Sequence, residues 1–230
     1  MAPEITHLLN LDFTAESFEP ETEISLPETS AALTKVPDED IYPALASHSD
    51  ITVAEVLDPI PPHIYLKRPW LSFYDDYKEQ DAVNAVPIIL LGEIYALQAL
   101  SKDPHPGIIK YYGCRVSSGW ITGFALEHHW EDLKGYIQAK KGPPIDEEPF
   151  LAALKSAICH VHSCGFAHND IKPDNILLDK ERLPVLTDFN SCQPIGRELR
   201  YSRGTPGWTD PEDPWDNSET WHDWFGTESI

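Results

Sequence analysis

Residues 168–175 read His-Asn-Asp-Ile-Lys-Pro-Asp-Asn, and the dipeptide Asp188-Phe189 follows across a short predicted hairpin. Asp170, Asn175 and Asp188 supply three oxygen donors from the two loops that flank this hairpin. Lys172 adds a positive charge two residues after Asp170. Oxygen ligands suit Mg²⁺, a carboxylate can orient a hydroxyl group, and a cation stabilises a migrating phosphoryl group. The stretch therefore predicts a site for Mg²⁺-assisted phosphoryl transfer.

A second charged pair is predicted upstream, between Glu93 and Lys67. Glu93 lies in the middle of an apolar helical stripe that contains Ile89, Leu90 and Leu97. A buried carboxylate without a partner is costly, and Lys67 on the preceding apolar strand is the natural counter-ion. The alternative is a glutamate at the edge of the stripe that reaches water.

Together these motifs resemble the eukaryotic protein kinase domain over about residues 63–226. Residues 168–175 resemble the HRDxKxxN catalytic loop, and residues 188–190 match two of the three positions of DFG. The Lys-Pro-Asp-Asn form is similar to the serine/threonine class. Other segments that resemble family motifs are residues 66–67 (the end of VAIK), 105–109 (the HPNIV turn), 204–212 (GTPxYxAPE) and 223–226 (the start of the helix whose Asp anchors the catalytic loop).

The resemblance implies ATP as the phosphoryl donor and a role for each matching residue. Lys67 would hold the α- and β-phosphates of ATP and pair with Glu93. Asp170 would accept or orient the proton of the substrate hydroxyl, and Lys172 would neutralise the γ-phosphoryl group.

The resemblance also implies the residues that hold the cofactors. Asn175 and Asp188 would coordinate Mg²⁺. The backbone of Glu127, His128 and His129 would form the hinge that binds adenine, and the side chain of Leu126 would guard the back pocket.

The implied fold class is α+β, with two lobes: a small β-rich lobe over about residues 63–128 and an incomplete helical large lobe over about residues 129–230. Patterning along the chain agrees with this fold. The predicted elements are a strand at 63–67, a helix from Pro87 to about Leu100, strands at 108–116 and 120–128, and a helix that carries Leu151, Leu154, Ile158 and Val161 and is closed by Gly165.

Residues 1–62 differ in composition from the rest of the chain. Of the net charge of −21, −12 lies in the first 60 residues, which hold 13 acidic residues and one basic residue, Lys35. Several prolines interrupt this segment and its apolar residues show no sustained period. The composition predicts a solvated, largely disordered arm, and an acidic docking tail is the alternative.

Several departures from the family pattern bear on activity. The first glycine is Gly92, so no GxGxxG precedes Lys67 to cover the ATP phosphates. Asn169 replaces the arginine that receives an activation-loop phosphate in the family, which predicts activity independent of loop phosphorylation. Asn190 replaces the DFG glycine, and we expect it to tolerate left-handed backbone angles.

The C-terminal region is also unusual. The chain ends 18 residues after Glu212, so the sequence predicts a C-terminally truncated large lobe. An apolar surface suited to a protein partner is then expected on four tryptophans: Trp208, Trp215, Trp221 and Trp224.

The net charge and the cysteine spacing indicate which partners, compartment and metal sites are expected. A surface this acidic repels phosphate backbones and anionic lipids, which argues against binding to nucleic acid or membranes. Four cysteines without a CxxC spacing indicate a reducing, intracellular compartment, cytoplasmic or nuclear. A zinc site among residues 159–168 is disfavoured, because only His160 and Cys164 share a helical face.

Two functions remain in competition. The first is a divergent serine/threonine protein kinase that uses ATP and Mg²⁺ and acts on protein substrates, with basic segments favoured by the acidic surface. The second is a pseudokinase that acts as a nucleotide-binding or protein-interaction scaffold. The retained catalytic set favours the enzyme, and the missing glycine loop favours the scaffold.

Overall fold

The β-rich half of the fold is built around a hairpin of strands β2 (Tyr111–Ser117) and β3 (Trp120–Glu127). The computed structural model, which describes residues 35–55, 59–139, 142–201 and 203–227, places strand β1 (Ile64–Lys67) antiparallel on the other side of β3. The strand order is therefore β1-β3-β2. Ser118 and Gly119 both have positive φ, 51° and 82°, which matches the twist that a two-residue hairpin turn requires.

The helices of this half position the cleft. Helix α1 (Asp38–Ile41) and helix α2 (Tyr74–Glu79) are short, and helix α3 (Ala85–Leu100) is the long helix that packs beside the sheet. The predicted helix from Pro87 is confirmed, with a start two residues earlier. Its buried face includes Glu93, which is 3% exposed, so the carboxylate does not reach water at the edge of the stripe.

The expectation of a disordered arm is wrong for residues 36–55. The chain here runs along the outer edge of β2, where Thr52 and Ala54 exchange backbone hydrogen bonds with Cys114 at 2.8 and 2.9 Å. Ile51 is buried in the main core, and Ile41 packs with Tyr74 in a smaller cluster. Apolar residues too irregular to show a period are thus buried by tertiary contacts. Residues 1–34 lie outside the described residues.

The helical half begins after strand β3 and carries residues 168–175 and 188–190, which the sequence predicts to form the site. Its helices are α4 (Leu133–Ala139), α5 (Glu147–Ser163) and α6 (Thr220–Thr227). Strand β4 (Phe166–Ala167) pairs with β7 (Gln193–Pro194), and β5 (Ile176–Leu178) pairs with β6 (Pro184–Leu186). Single 3-10 turns occur at Leu45–Ser47, Pro173–Asn175 and Phe189–Ser191.

Helix α5 is the buried centre of this half. Its core face is formed by Phe150, Leu154, Ile158 and Val161, whereas Leu151, which the sequence placed on that face, is 37% exposed. Phe150 lies four residues before Leu154 and so shares its face, whereas Leu151 lies on the adjacent, solvent-facing side. The mixture of strands and helices confirms the α+β class.

The expected surface of exposed tryptophans at the C-terminal end is not found. Trp215 is buried and stacks on His222 at 3.8 Å between ring centroids. Trp208, Trp221 and Trp224 are half-buried. The rings of Trp215 and Trp221 contact each other and His222, and the ring of Trp224 contacts His162 on α5, so these three side chains do not form an open docking face.

None of the helices in the described residues combines the length and apolar character that a bilayer crossing needs.

Candidate active site

A three-residue ion cluster lies between the sheet and helix α3. The Lys67 Nζ atom donates to Glu93 Oε1 at 2.6 Å and to Asp188 Oδ1 at 2.7 Å. Glu93 Oε1 also accepts the backbone N–H of Phe189 at 3.0 Å. The Lys67 cation thereby joins strand β1, helix α3 and the segment after β6. Lys67 and Glu93, which the sequence predicts to pair across 26 positions, do form an ion pair in the structure.

The ion cluster holds Lys67 and Asp188 in their charged forms, whereas burial acts against the charge of Glu93. Burial disfavours the positive charge of Lys67, but Glu93 and Asp188 outweigh burial and hold its pKa above the ordinary value. Burial likewise raises the pKa of Asp188, and Lys67 more than reverses this, so the pKa of Asp188 lies below its ordinary value. Burial raises the pKa of Glu93, with Lys67 acting against it. At neutral pH this cluster therefore presents the ammonium group of Lys67 and an ionised Asp188.

The second group of polar side chains lies on the loop after β4. Asp170 Oδ2 accepts hydrogen bonds from Lys172 Nζ and from Asn175 Nδ2, both at 2.9 Å. Lys172 Nζ also donates to Thr205 Oγ1 at 2.5 Å. Asp170 Oδ1 is buried without a hydrogen-bond partner in the described residues. A buried acceptor without a donor is costly, so this oxygen is the place where a hydroxyl group would restore a hydrogen bond.

Asp223 fixes the backbone of this loop from helix α6. Its two carboxylate oxygens accept the backbone N–H groups of His168 and Asn169 at 2.9 and 2.7 Å. The side chain is fully buried, and His162 Nε2 lies 2.8 Å from the Oδ2 atom. A Cβ at Gly226 would collide with the carbonyl oxygen of Ile171, so glycine is needed for α6 to approach the loop this closely.

Asn169 is a structural residue in this protein. Its side chain is fully buried, and its amide nitrogen donates to the carbonyl oxygen of Ala167 and to Ser218 Oγ, both at 2.9 Å. His222 Nδ1 donates to the amide oxygen of Asn169 at 2.9 Å. An arginine would not fit this network without leaving a buried charge. The sequence shows that asparagine replaces the family's arginine at position 169, but it did not predict the hydrogen-bond network of Asn169, Ser218 and His222.

The left-handed backbone near the cleft is not where the sequence placed it. Asn190 lies in the 3-10 turn Phe189–Ser191, whereas Asp188 has φ 59° and ψ 67°. Asn169 is also left-handed, with φ 61°. Asp and Asn adopt this conformation more readily than other non-glycine residues. The expectation that Asn190 replaces glycine by adopting left-handed angles is therefore wrong.

A cavity of about 290 Å³ separates the two halves beside these groups. Leu126 is buried at its back, and Glu127, His128 and His129 form one wall. The hinge backbone is held by Glu127 N–H donating to the Lys110 carbonyl and by His128 N–H donating to the His63 carbonyl, each at 2.9 Å. This volume is near the lower end of the range usual for small-molecule sites, about 300–1,000 Å³.

The chemistry of the donor set fits Mg²⁺. Asn175 uses its amide nitrogen to bind Asp170, which leaves its amide oxygen as a ligand. Asp188 uses Oδ1 to bind Lys67, which leaves Oδ2. Hard divalent cations prefer oxygen ligands of this kind and retain several waters. Among the described residues there is no cluster of three or more His, Cys, Asp or Glu side chains arranged to hold a metal ion.

With this geometry established, comparison with known proteins defines the class. Residues 76–220 match the protein kinase domain family, so the chain belongs to that family. Lys67 precedes the matched range, and its place in the site rests on the ion cluster in the structure.

Three curated relatives have names that include serine/threonine-protein kinase. The chain is 36% identical over 116 residues to serine/threonine-protein kinase CHK1 of Saccharomyces cerevisiae, covering 47% of this chain and 22% of that protein. It is 37% identical over 117 residues to serine/threonine-protein kinase SBK2 of Rattus norvegicus, covering 49% and 32%. It is 33% identical over 130 residues to the serine/threonine-protein kinase/endoribonuclease IRE1 of Hypocrea jecorina, covering 48% and 10%. The aligned region thus spans at most about a third of each of these relatives.

Proposed function

We propose that the chain is a serine/threonine protein kinase that transfers the γ-phosphoryl group of ATP to a protein hydroxyl group with the help of Mg²⁺. The observation that carries the proposal is the joint presence, in one cleft, of the Lys67–Glu93–Asp188 cluster and the Asp170–Lys172–Asn175 network. All six side chains have the residue types that phosphoryl transfer uses.

In this proposal the chain's own residues position the reactants and move one proton. Lys67 binds the α- and β-phosphates, and the Glu127–His129 backbone binds adenine. The substrate hydroxyl donates its proton to Asp170 Oδ1, the buried acceptor without a partner. The hydroxyl oxygen bonds to the γ-phosphorus, the bond to the β–γ bridging oxygen breaks, and ADP leaves.

Two residues stabilise charge during the transfer. Lys172 lies 2.9 Å from Asp170 and supplies a positive charge next to the incoming oxygen. Asn175 and Asp188 would hold Mg²⁺, which neutralises the phosphate oxygens when it is bound.

The acidic surface supports substrates with basic segments, because a net charge of −21 attracts positive peptides. The four cysteines are free thiols in the structure, which supports a reducing compartment, cytoplasmic or nuclear.

One observation favours the scaffold alternative. In the described part of the chain no strand pairs with the outer edge of β1, the side from which a glycine-rich hairpin would cover ATP. Water then reaches the γ-phosphate more easily, and we expect slow turnover.

The test is transfer of label from γ-labelled ATP to serine or threonine of a basic protein, in Mg²⁺ and in excess chelator. The proposal expects Mg²⁺-dependent label on the acceptor. ATP binding without any transfer would support the scaffold instead.

A further inference from the structure

Tyr65 faces the cleft from strand β1. Side chains alternate along a strand, so Tyr65 lies on the same face of β1 as Lys67, and Leu66 lies on the opposite face. Lys67 reaches Glu93 and Asp188, which identifies its face as the one toward the cleft. Tyr65 lines the 290 Å³ cavity together with Lys67 and the hinge.

Tyr65 is half exposed, and it lies on a strand whose outer edge has no partner strand in the described residues. Tyr65 is 51% exposed, so much of its surface is free to contact a ligand in the cavity. The outer edge of β1 has no strand partner in the described residues. Residues 52–54, which precede β1 in sequence, pair instead with β2 at the far edge of the sheet. Tyr65 is therefore the large side chain on the β1 side of the cavity.

The opposite side of the cavity is apolar. Leu177, from strand β5 of the helical half, lines the same cavity, as does Ile109. A flat group that enters between β1 and β5 meets an aromatic ring on one side and an aliphatic side chain on the other. The hinge at the back supplies backbone polar groups, and Lys67 supplies positive charge at the other end.

We propose that the Tyr65 ring stacks on the purine base of the bound nucleotide and covers the base on the β1 side of the cavity. The inference rests on the proposed function, since it names a base-recognition residue of the same site. An aromatic ring gains most from a flat π-system in offset contact, which a purine offers and a phosphate chain does not. Tyr65 would thus recognise the purine base of the nucleotide, and Lys67 would bind its phosphates.

The test is calorimetric binding of three probes, adenosine, ADP with Mg²⁺, and inorganic tripolyphosphate, to the full chain. Tyr65→Ala is expected to weaken adenosine and ADP binding about tenfold or more and to leave tripolyphosphate affinity unchanged. Tyr65→Phe keeps the ring and is expected to bind adenosine within about twofold of the wild type. Trp70→Ala is the matched control, because Trp70 is an exposed aromatic close in sequence that does not line the cavity.

Each outcome supports or overturns the inference. Adenosine binding that is equal or tighter in Tyr65→Ala would show that the ring only obstructs the cavity, and would overturn the stacking role alone. A wild-type chain that binds neither adenosine nor ADP would overturn both this inference and the proposed function. Weakened adenosine binding in Tyr65→Ala, combined with absent phosphoryl transfer in the wild type, would support the stacking role and overturn only the kinase activity.

Discussion

At the scale of single residues, the cleft depends on one buried cation shared by two carboxylates. Glu93 is almost fully buried, and Lys67 is its counter-ion at 2.6 Å. Desolvated pairs of this kind add little net stability, but the loss of one partner leaves a charge buried alone. The fold and the site are thus linked through Lys67.

Replacement of Lys67 tests this link. Lys67→Met leaves Glu93 and Asp188 without their cation, and we expect the free energy of unfolding to fall by about 3 kcal/mol. Urea denaturation followed by tryptophan fluorescence measures the change. The double variant Lys67→Met/Glu93→Leu removes the stranded carboxylate and should recover part of the loss. A double variant that is less stable than Lys67→Met would contradict the explanation.

A second residue-scale prediction concerns the pH dependence of stability. Burial lowers the pKa of His222 below its ordinary 6.5, although Asp213, Asp223 and Glu219 act in the opposite direction. The unfolded chain therefore binds a proton in a pH range where folded His222 does not. The contribution of His222 to stability is fully present above about pH 6.5, and it decreases as the pH falls from there to the folded pKa.

The measurement is urea unfolding at pH 7.5 and at pH 5.5, for the wild type and for His222→Asn. The wild type should lose more stability than the variant on acidification, by up to about 1.4 kcal/mol per pH unit. The other histidines are common to both proteins and cancel in the comparison. Equal losses in the two proteins would show that His222 does not carry this dependence.

At the scale of elements, the segment of residues 36–55 packs against strand β2 and helix α3 of the β-rich half. Its backbone pairs with the edge of β2, and its side chains reach helix α3, where Gln98 Oε1 accepts the N–H of Thr52 at 2.7 Å. Tyr95 on the same helix lies 3.0 Å from His48 Nδ1. Because α3 carries Glu93, the segment supports the helix on the face away from the cleft.

Ile51→Ala measures whether this segment belongs to the folded core. Ile51 is 6% exposed within the main core, and its truncation is expected to cost about 2–4 kcal/mol of unfolding free energy. Val53→Ala is the control in the same segment, because Val53 is 50% exposed and should cost less than about 0.5 kcal/mol. Similar small effects for both variants would mean that the segment does not pack.

Some helices, strands and contacts of this fold could be predicted from the sequence, and others could not. Helix α3, the β2–β3 hairpin and the β5–β6 hairpin were predictable, because each has a local period or a turn signal. The Lys67–Glu93 contact was predictable because a carboxylate in an apolar stripe needs a cation. The folded structure of residues 36–55 was not predictable, because it depends on hydrogen bonds to β2, which is distant in sequence. The acidic composition of this segment indicated disorder instead.

The same limit applies to the site. The contact of Asp223 with the loop of residues 168–175 was predictable from recognisable motifs. The hydrogen bonds of Asn169 to Ser218 and His222 were not, because they join residues about 50 positions apart. A substitution that removes a family residue shows that a contact is missing. It does not show which new contacts the replacement makes.

At the scale of the whole molecule, Asn169 stands where the resemblance to the kinase family places an arginine that receives an activation-loop phosphate. The side chain of Asn169 is buried and carries no charge, so it offers nothing to a phosphate. Thr205 already accepts a hydrogen bond from Lys172. A phosphate on this threonine would disturb that contact rather than assemble the site.

Phosphatase treatment tests this prediction on the intact protein. We expect the rate of phosphoryl transfer to change by less than about twofold after complete dephosphorylation. Mass spectrometry checks that no phosphate remains on the residues 188–212. Loss of turnover after dephosphorylation would mean that another cation receives a loop phosphate.

The proposed role of Asp170 as the proton acceptor of a working kinase site is tested by the initial rate of label transfer from γ-labelled ATP to a basic protein. Asp170→Asn keeps the shape and the hydrogen bonds of the loop but cannot take a proton, whereas Asp103→Asn changes an exposed aspartate away from the cleft. We expect a wild-type rate about 10²–10⁴-fold above that of Asp170→Asn, with Asp103→Asn equal to the wild type. Equal background rates in all three proteins would contradict it.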